Sequence, residues 1–165
     1  MTPIIQVGMK KIADLINKLN ITNNKQKEYC DEDRLRLLGI DDSMAEKIRD
    51  MKFIRTDNDE GEYGETYYAV ISIDKLVGIN GRVEVDSWLA LLFKLHKKRN
   101  FDLFGSRDNF KSYVNNLNKA CDDLPHVLDV GGEYVVNGNG KHRLTIAKCI
   151  GINQFPVIVT TLNNL

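Results

Sequence analysis

Residues 133–159 read EYVVNGNGKHRLTIAKCIGINQFPVIV, and the fold of the chain is decided by how this stretch is parsed. Tyr134, Val135 and Val136 are a short β-prone run, ended by Asn137-Gly138-Asn139-Gly140. Leu144, Ile146, Ala147 and Ile150 then recur at helical spacing, and Gly151 with Asn153 stops the helix. Phe155 to Val159 is apolar and β-branched, the mark of a buried strand. The pattern predicts strand, glycine-rich turn, helix, turn, strand.

Lys141, His142 and Arg143 fall on the turn and the first helical positions. The N–H groups at a helix start already carry partial positive charge, so each added cation works against about 0.3–1 kcal/mol of dipole energy. Such a placement makes sense where an anion occupies the site and glycines let backbone N–H groups approach it. Gly138, Asn139, Gly140, Lys141, His142 and Arg143 are therefore the candidate phosphate-binding residues. The competing reading of N-G-N-G is an ordinary tight turn.

The segment GNGKHRLTIAKCIGINQFPVIV resembles the second conserved box of the ParB/sulfiredoxin superfamily, a strand, a glycine, a basic pair, a helix and a strand ending in a P-V-I-V-like run. Gly140, Lys141, His142 and Arg143 match its core, and Pro156 to Val159 match its closing strand. The resemblance implies an α+β fold, a small mixed sheet flanked by helices, with nucleotide phosphates held by this box. Residues 67–76, YYAVISIDKL, followed by Val77-Gly78-Ile79-Asn80-Gly81-Arg82, resemble the family's first box. There a loop arginine sits beside the nucleotide, and Arg82 is the matching residue. Lys141 stands where sulfiredoxins carry their catalytic cysteine and partition proteins a glutamate. Reductase chemistry is thereby excluded.

The rest of the chain is read around this core. Residues 1–60 are expected to form a helical N-terminal extension and 61–165 the ParB/sulfiredoxin-like domain. Ile12, Leu15, Ile16 and Leu19 give one apolar helical face, and Ser43 with Glu46 forms a capping box starting a helix through Asp50. The acidic run 56–66, TDNDEGEYGET, reads as a boundary loop. Val83 to Lys98 reads as an amphipathic helix, an insertion relative to compact family members, with a basic end from Lys94 to Arg99. A helix starting near Ser106 presents Phe110, Tyr113, Val114 and Leu117 inward. Leu124 to Val130 then forms a strand, with Gly131-Gly132 as the turn into Glu133.

The chain has 165 residues with 23 basic and 23 acidic side chains, so the net charge is zero and bulk coating of nucleic acid is disfavoured. Cys30, Cys121 and Cys149 are far apart and lack C-x-x-C spacing, and the three histidines are scattered, so no structural metal is expected. No apolar run reaches membrane-span length and no signal-peptide pattern opens the sequence, which predicts a cytoplasmic protein without a membrane partner.

Two classes of function fit. One is a nucleotide-dependent hydrolase or phosphotransferase, or a nuclease, using a nucleoside triphosphate with Mg²⁺. Its acid–base or metal-holding carboxylate would come from Glu84, Asp86 or Asp129. The other is a non-catalytic module binding nucleotide, DNA or a partner protein, the last through residues 1–60.

Overall fold

The structure is a computed structural model that describes residues 31–95 and 106–163. In chain order these form α1 (Asp31–Leu37), α2 (Asp42–Asp50), β1 (Ile54–Thr56), β2 (Tyr63–Ser72), β3 (Leu76–Asn80), α3 (Trp88–Lys94), α4 (Arg107–Asn115), β4 (His126–Asp129), β5 (Tyr134–Val136), α5 (Lys141–Ile150) and β6 (Gln154–Leu162). The helix expected around Ile12 to Leu19 and the basic run beyond Leu95 lie outside the described residues.

The strands build one mixed sheet in the order β1-β3-β5-β4-β6-β2. The β1–β3, β3–β5 and β4–β6 pairs are parallel, whereas β5–β4 and β6–β2 are antiparallel. The fold is therefore α+β with a mixed sheet, as the sequence implied. β1 lies on the N-terminal side of residue 60, so the expected extension contributes a sheet strand as well as α1 and α2.

All five helices contribute to a single core on one sheet face, where Trp88, Leu91, Leu92, Phe110, Leu144 and Ile146 meet Ile71, Val127, Val136, Phe155, Val157 and Val159. On the other face Val77, Leu128 and Val135 form a small cluster with Ile54, Tyr63, Val130 and Leu162, to which no described helix contributes. Strand alternation sorts the two sets. Where it breaks, a register shift is present: between Leu76 and Gly78 in β3, and between Tyr63 and Thr66 in β2. The first shift turns both Leu76 and Ile79 to the helical side.

Several boundaries differ from the sequence reading. Asp41, not Ser43, caps α2, its carboxylate accepting from the Met44 N–H at 2.8 Å. The run 56–66 is less of a loop than expected, because β2 already starts at Tyr63. Val77 to Asn80 are strand rather than loop, and the first-box strand breaks at a 3₁₀ turn over Ile73–Lys75. α3 starts at Trp88 instead of Val83, capped by the Ser87 hydroxyl at 3.0 Å from the Ala90 N–H. The cap at Ser106 and the Gly131-Gly132 turn fall where the sequence puts them.

Candidate functional site

The parallel register sets the carboxyl ends of β1, β3 and β5 side by side: Thr56 pairs with Asn80, and Ile79 with Val136. In open sheets with parallel strands this is the edge at which ligands bind, because the strand-to-helix turns gather there. Asn80 organises it. Its amide nitrogen lies 3.1 Å from the Asn58 carbonyl, 3.1 Å from the Tyr63 hydroxyl and 3.2 Å from Asn137 Oδ1. Its Oδ1 accepts from the Thr56 hydroxyl at 2.6 Å and the Asn58 N–H at 2.9 Å. Tyr63 in turn donates to Asn137 Oδ1 at 2.9 Å. This network joins the loop carrying Arg82 to the first residue of the glycine-rich loop.

That loop is pinned from the other side by residues 123–126. The backbone of His126 exchanges hydrogen bonds with Asn137 and Asn139, both at 2.9 Å, so the ladder passes over Gly138 and leaves it exposed with φ +83°. The exposed Asn139 side chain is tied to this segment, donating to Asp123 Oδ1 at 2.9 Å and to the Leu124 carbonyl at 3.1 Å. Gly140 has φ +93°, and a Cβ there would stand 2.3 Å from the Pro125 Cβ, so both conformation and space require glycine.

Of the basic triplet, only Lys141 remains partly open to solvent. His142 is buried. Arg143 is 8% exposed, and its guanidinium donates to the Tyr113 hydroxyl at 3.0 Å and to the Asp123 backbone carbonyl, with the Asp123 carboxylate 3.6 Å away. Arg143 thus ties α5 to α4 and to the 123–125 segment. At the far end of α5 the Arg107 guanidinium donates to the Ile150 carbonyl at 2.7 Å, so the two helices are clamped at both ends.

The six residues singled out in this box are therefore brought together in two roles. Gly140, His142 and Arg143 are turned towards the protein, while Gly138, Asn139 and Lys141 are open to solvent beside the start of α5. Gly140 offers that helix no side-chain cap, and first-turn N–H groups have no acceptor within their own helix. Arg82 is exposed, two residues past Asn80.

The carboxylates divide differently from expectation. Asp129 sits at the opposite end of β4, accepting from the Gly132 N–H at 2.8 Å. Glu84 and Asp86 line a separate cleft of about 560 Å³ with Arg55, Phe93 and Lys94. The carboxylate beside the box is Asp123, 81% exposed. Sequence reasoning passed over Asp123, Tyr113, Tyr63 and Asn137 because each enters through a partner at least 16 residues away, which no local pattern signals.

Among the described residues no three His, Cys, Asp or Glu side chains converge on a metal position. No described helix is long and apolar enough to cross a membrane. No family model, no curated protein and no solved structure matches this chain.

Proposed function

We propose that this protein is a ParB/sulfiredoxin-like module that binds the phosphates of a nucleotide at the carboxyl edge of β1, β3 and β5. The observation that carries this reading is the 3.2 Å contact between Asn80 and Asn137, which holds the Arg82 loop and the glycine-rich loop at one edge. Gly138 leaves space for a close approach, Lys141 supplies a cation, and the start of α5 supplies backbone donors. Arg143 acts as the floor of the site, its charge offset by Asp123. The zero net charge favours a small phosphate ligand over extended DNA. Binding of a partner protein through residues 1–60 would add to this activity rather than replace it.

A catalytic version has one observation in its favour. Asp123 lies at the rim, its carboxylate oriented by the Asn139 amide, where it can accept a proton from an attacking water or help hold Mg²⁺. Release of phosphate from a nucleoside triphosphate, lost in Asp123→Asn, distinguishes this hydrolase reading from simple binding.

The test is thermal denaturation with ATP, CTP, GTP, UTP or inorganic phosphate, with and without Mg²⁺. A ligand at a hundred times its dissociation constant stabilises by about 2.7 kcal/mol, or about 5–11 °C for a chain of this size. One nucleotide should raise the melting point of wild type. The rise should be lost in Lys141→Ala and reduced in Arg82→Ala, with the unliganded melting point unchanged. Absence of a shift with every nucleotide overturns the reading.

A further inference from the structure

The two edges of the sheet are finished very differently. β1 is three residues long, and its central Arg55 reaches back to the Val83 carbonyl at 3.0 Å. β2 is ten residues long and, among the described residues, pairs only with β6, so about half of its N–H and C=O groups point away from that sheet. Proteins usually blunt such an edge with lysine, proline or a short strand. The β2 sequence YGETYYAVIS has none of these, and its one charge is Glu65.

Its side chains add to the anomaly. Of the three large apolar side chains most exposed among the described residues, two are Tyr67 at 45% and Val70 at 50%, both on β2. Tyr67 aligns with Val159 on the helical side of the sheet, and Val70 aligns with Pro156 on the other. Both faces of the edge are thus apolar.

We propose that β2 is a self-association edge, pairing antiparallel with β2 of a second copy to make one continuous twelve-stranded sheet. A second copy fits better than a foreign strand because the edge is self-complementary about a two-fold axis. With Tyr68 opposite Tyr68 of the other copy, Thr66 faces Val70, Tyr67 faces Ala69, and Glu65 faces Ile71. No like charges meet. The zero net charge removes long-range repulsion between copies. Centred on Tyr68, the pairing runs from Glu65 to Ile71, a seam of about 23 Å at ~3.3 Å per residue, short enough that the dimer should be reversible. The bulge between Tyr63 and Thr66, present in each copy, ends the pairing at both sides of the two-fold axis.

Sedimentation of the whole chain over a wide micromolar concentration range tests this, alongside Tyr67→Lys/Val70→Lys. Wild type should approach twice the monomer mass of 18.8 kDa as concentration rises. The double variant should raise the dimer dissociation constant at least roughly tenfold, about 1.4 kcal/mol. Both positions are solvent-exposed in the monomer, so its melting curve should be retained. Hydrogen exchange gives an independent readout, with β2 amides becoming more protected in concentrated wild type but not in the variant. A wild type that stays monomeric overturns the proposal, including where β2 instead captures an unrelated strand. So does a dimer that survives the double substitution.

Discussion

Replacing Arg143 by alanine tests whether the most conspicuous cation of the box serves a ligand or the fold. Its guanidinium donates to the Tyr113 hydroxyl and the Asp123 carbonyl, and the residue is almost fully buried. Hydrogen bonds from a charged donor contribute about 1.5–3 kcal/mol each. Tyr113 is half-buried and Asp123 exposed, so water replaces part of what is lost. The lower end of that range applies, and the pair together comes to about 3 kcal/mol. For 165 residues this corresponds to a melting point lowered by about 6–12 °C. The Asp123 carboxylate should matter little. It is 81% exposed and 3.6 Å from the guanidinium, so Asp123→Asn should cost less than about 0.5 kcal/mol, the asparagine oxygen still accepting from Asn139. Thermal unfolding followed by circular dichroism, without ligand, reads both variants. An Arg143→Ala melting point equal to that of wild type would refute the structural role. An Asp123→Asn loss as large as that of Arg143→Ala would show that the ion pair, not the carbonyl, is the anchor.

Two further outcomes follow from the same geometry. Gly138→Ala should cost only about 1 kcal/mol, the penalty of a positive φ, because nothing lies within 4 Å of the new methyl group. Gly140→Ala should cost at least about twice that, since its methyl group also meets Pro125, and urea unfolding ranks the two. Lys148 is buried, with its ammonium 3.0 Å from the Ile73 carbonyl and 5.9 Å from the centre of the Trp88 ring. Burial lowers its pKa, partly countered by Asp74. Between that lowered value and the unfolded value of about 10.4, the unfolded chain binds more protons, so wild-type stability should rise with pH relative to Lys148→Met. Urea titrations at stepped alkaline pH decide the sign, and a fall relative to Lys148→Met contradicts it.

The strand–helix–strand unit was legible because its signals are local. Val135 and Val136, the left-handed Gly140 and Gly151 at the ends of α5, and Phe155 to Val159 all sit within 27 consecutive residues. What stayed hidden depended on distant partners. Gly78 in V-G-I-N lies within β3, and the position needs glycine because a Cβ there would stand 1.8 Å from the Ile54 carbonyl oxygen of β1. Nothing in a three-residue strand announces that approach. The charge of Arg143 was visible, but its commitment to a carbonyl 20 residues earlier was not. Asp41 displaced Ser43 as the cap because the chain enters α2 two residues earlier, a choice between two competent capping residues that sequence alone leaves open.

The order of strands also governs when the fold can exist at all. Among the described residues β2, at 63–72, has a single neighbour, β6, whose first residue is Gln154. During synthesis at about 5–20 residues per second, β2 is made several seconds before any strand can pair with it. Closure of the longest antiparallel ladder waits for the helix α5 to emerge and for β6 to follow. Such distant pairing slows folding. It also leaves an unguarded edge strand with apolar side chains on both faces open to neighbouring nascent chains throughout that interval, when a chaperone would do most for the yield of native protein.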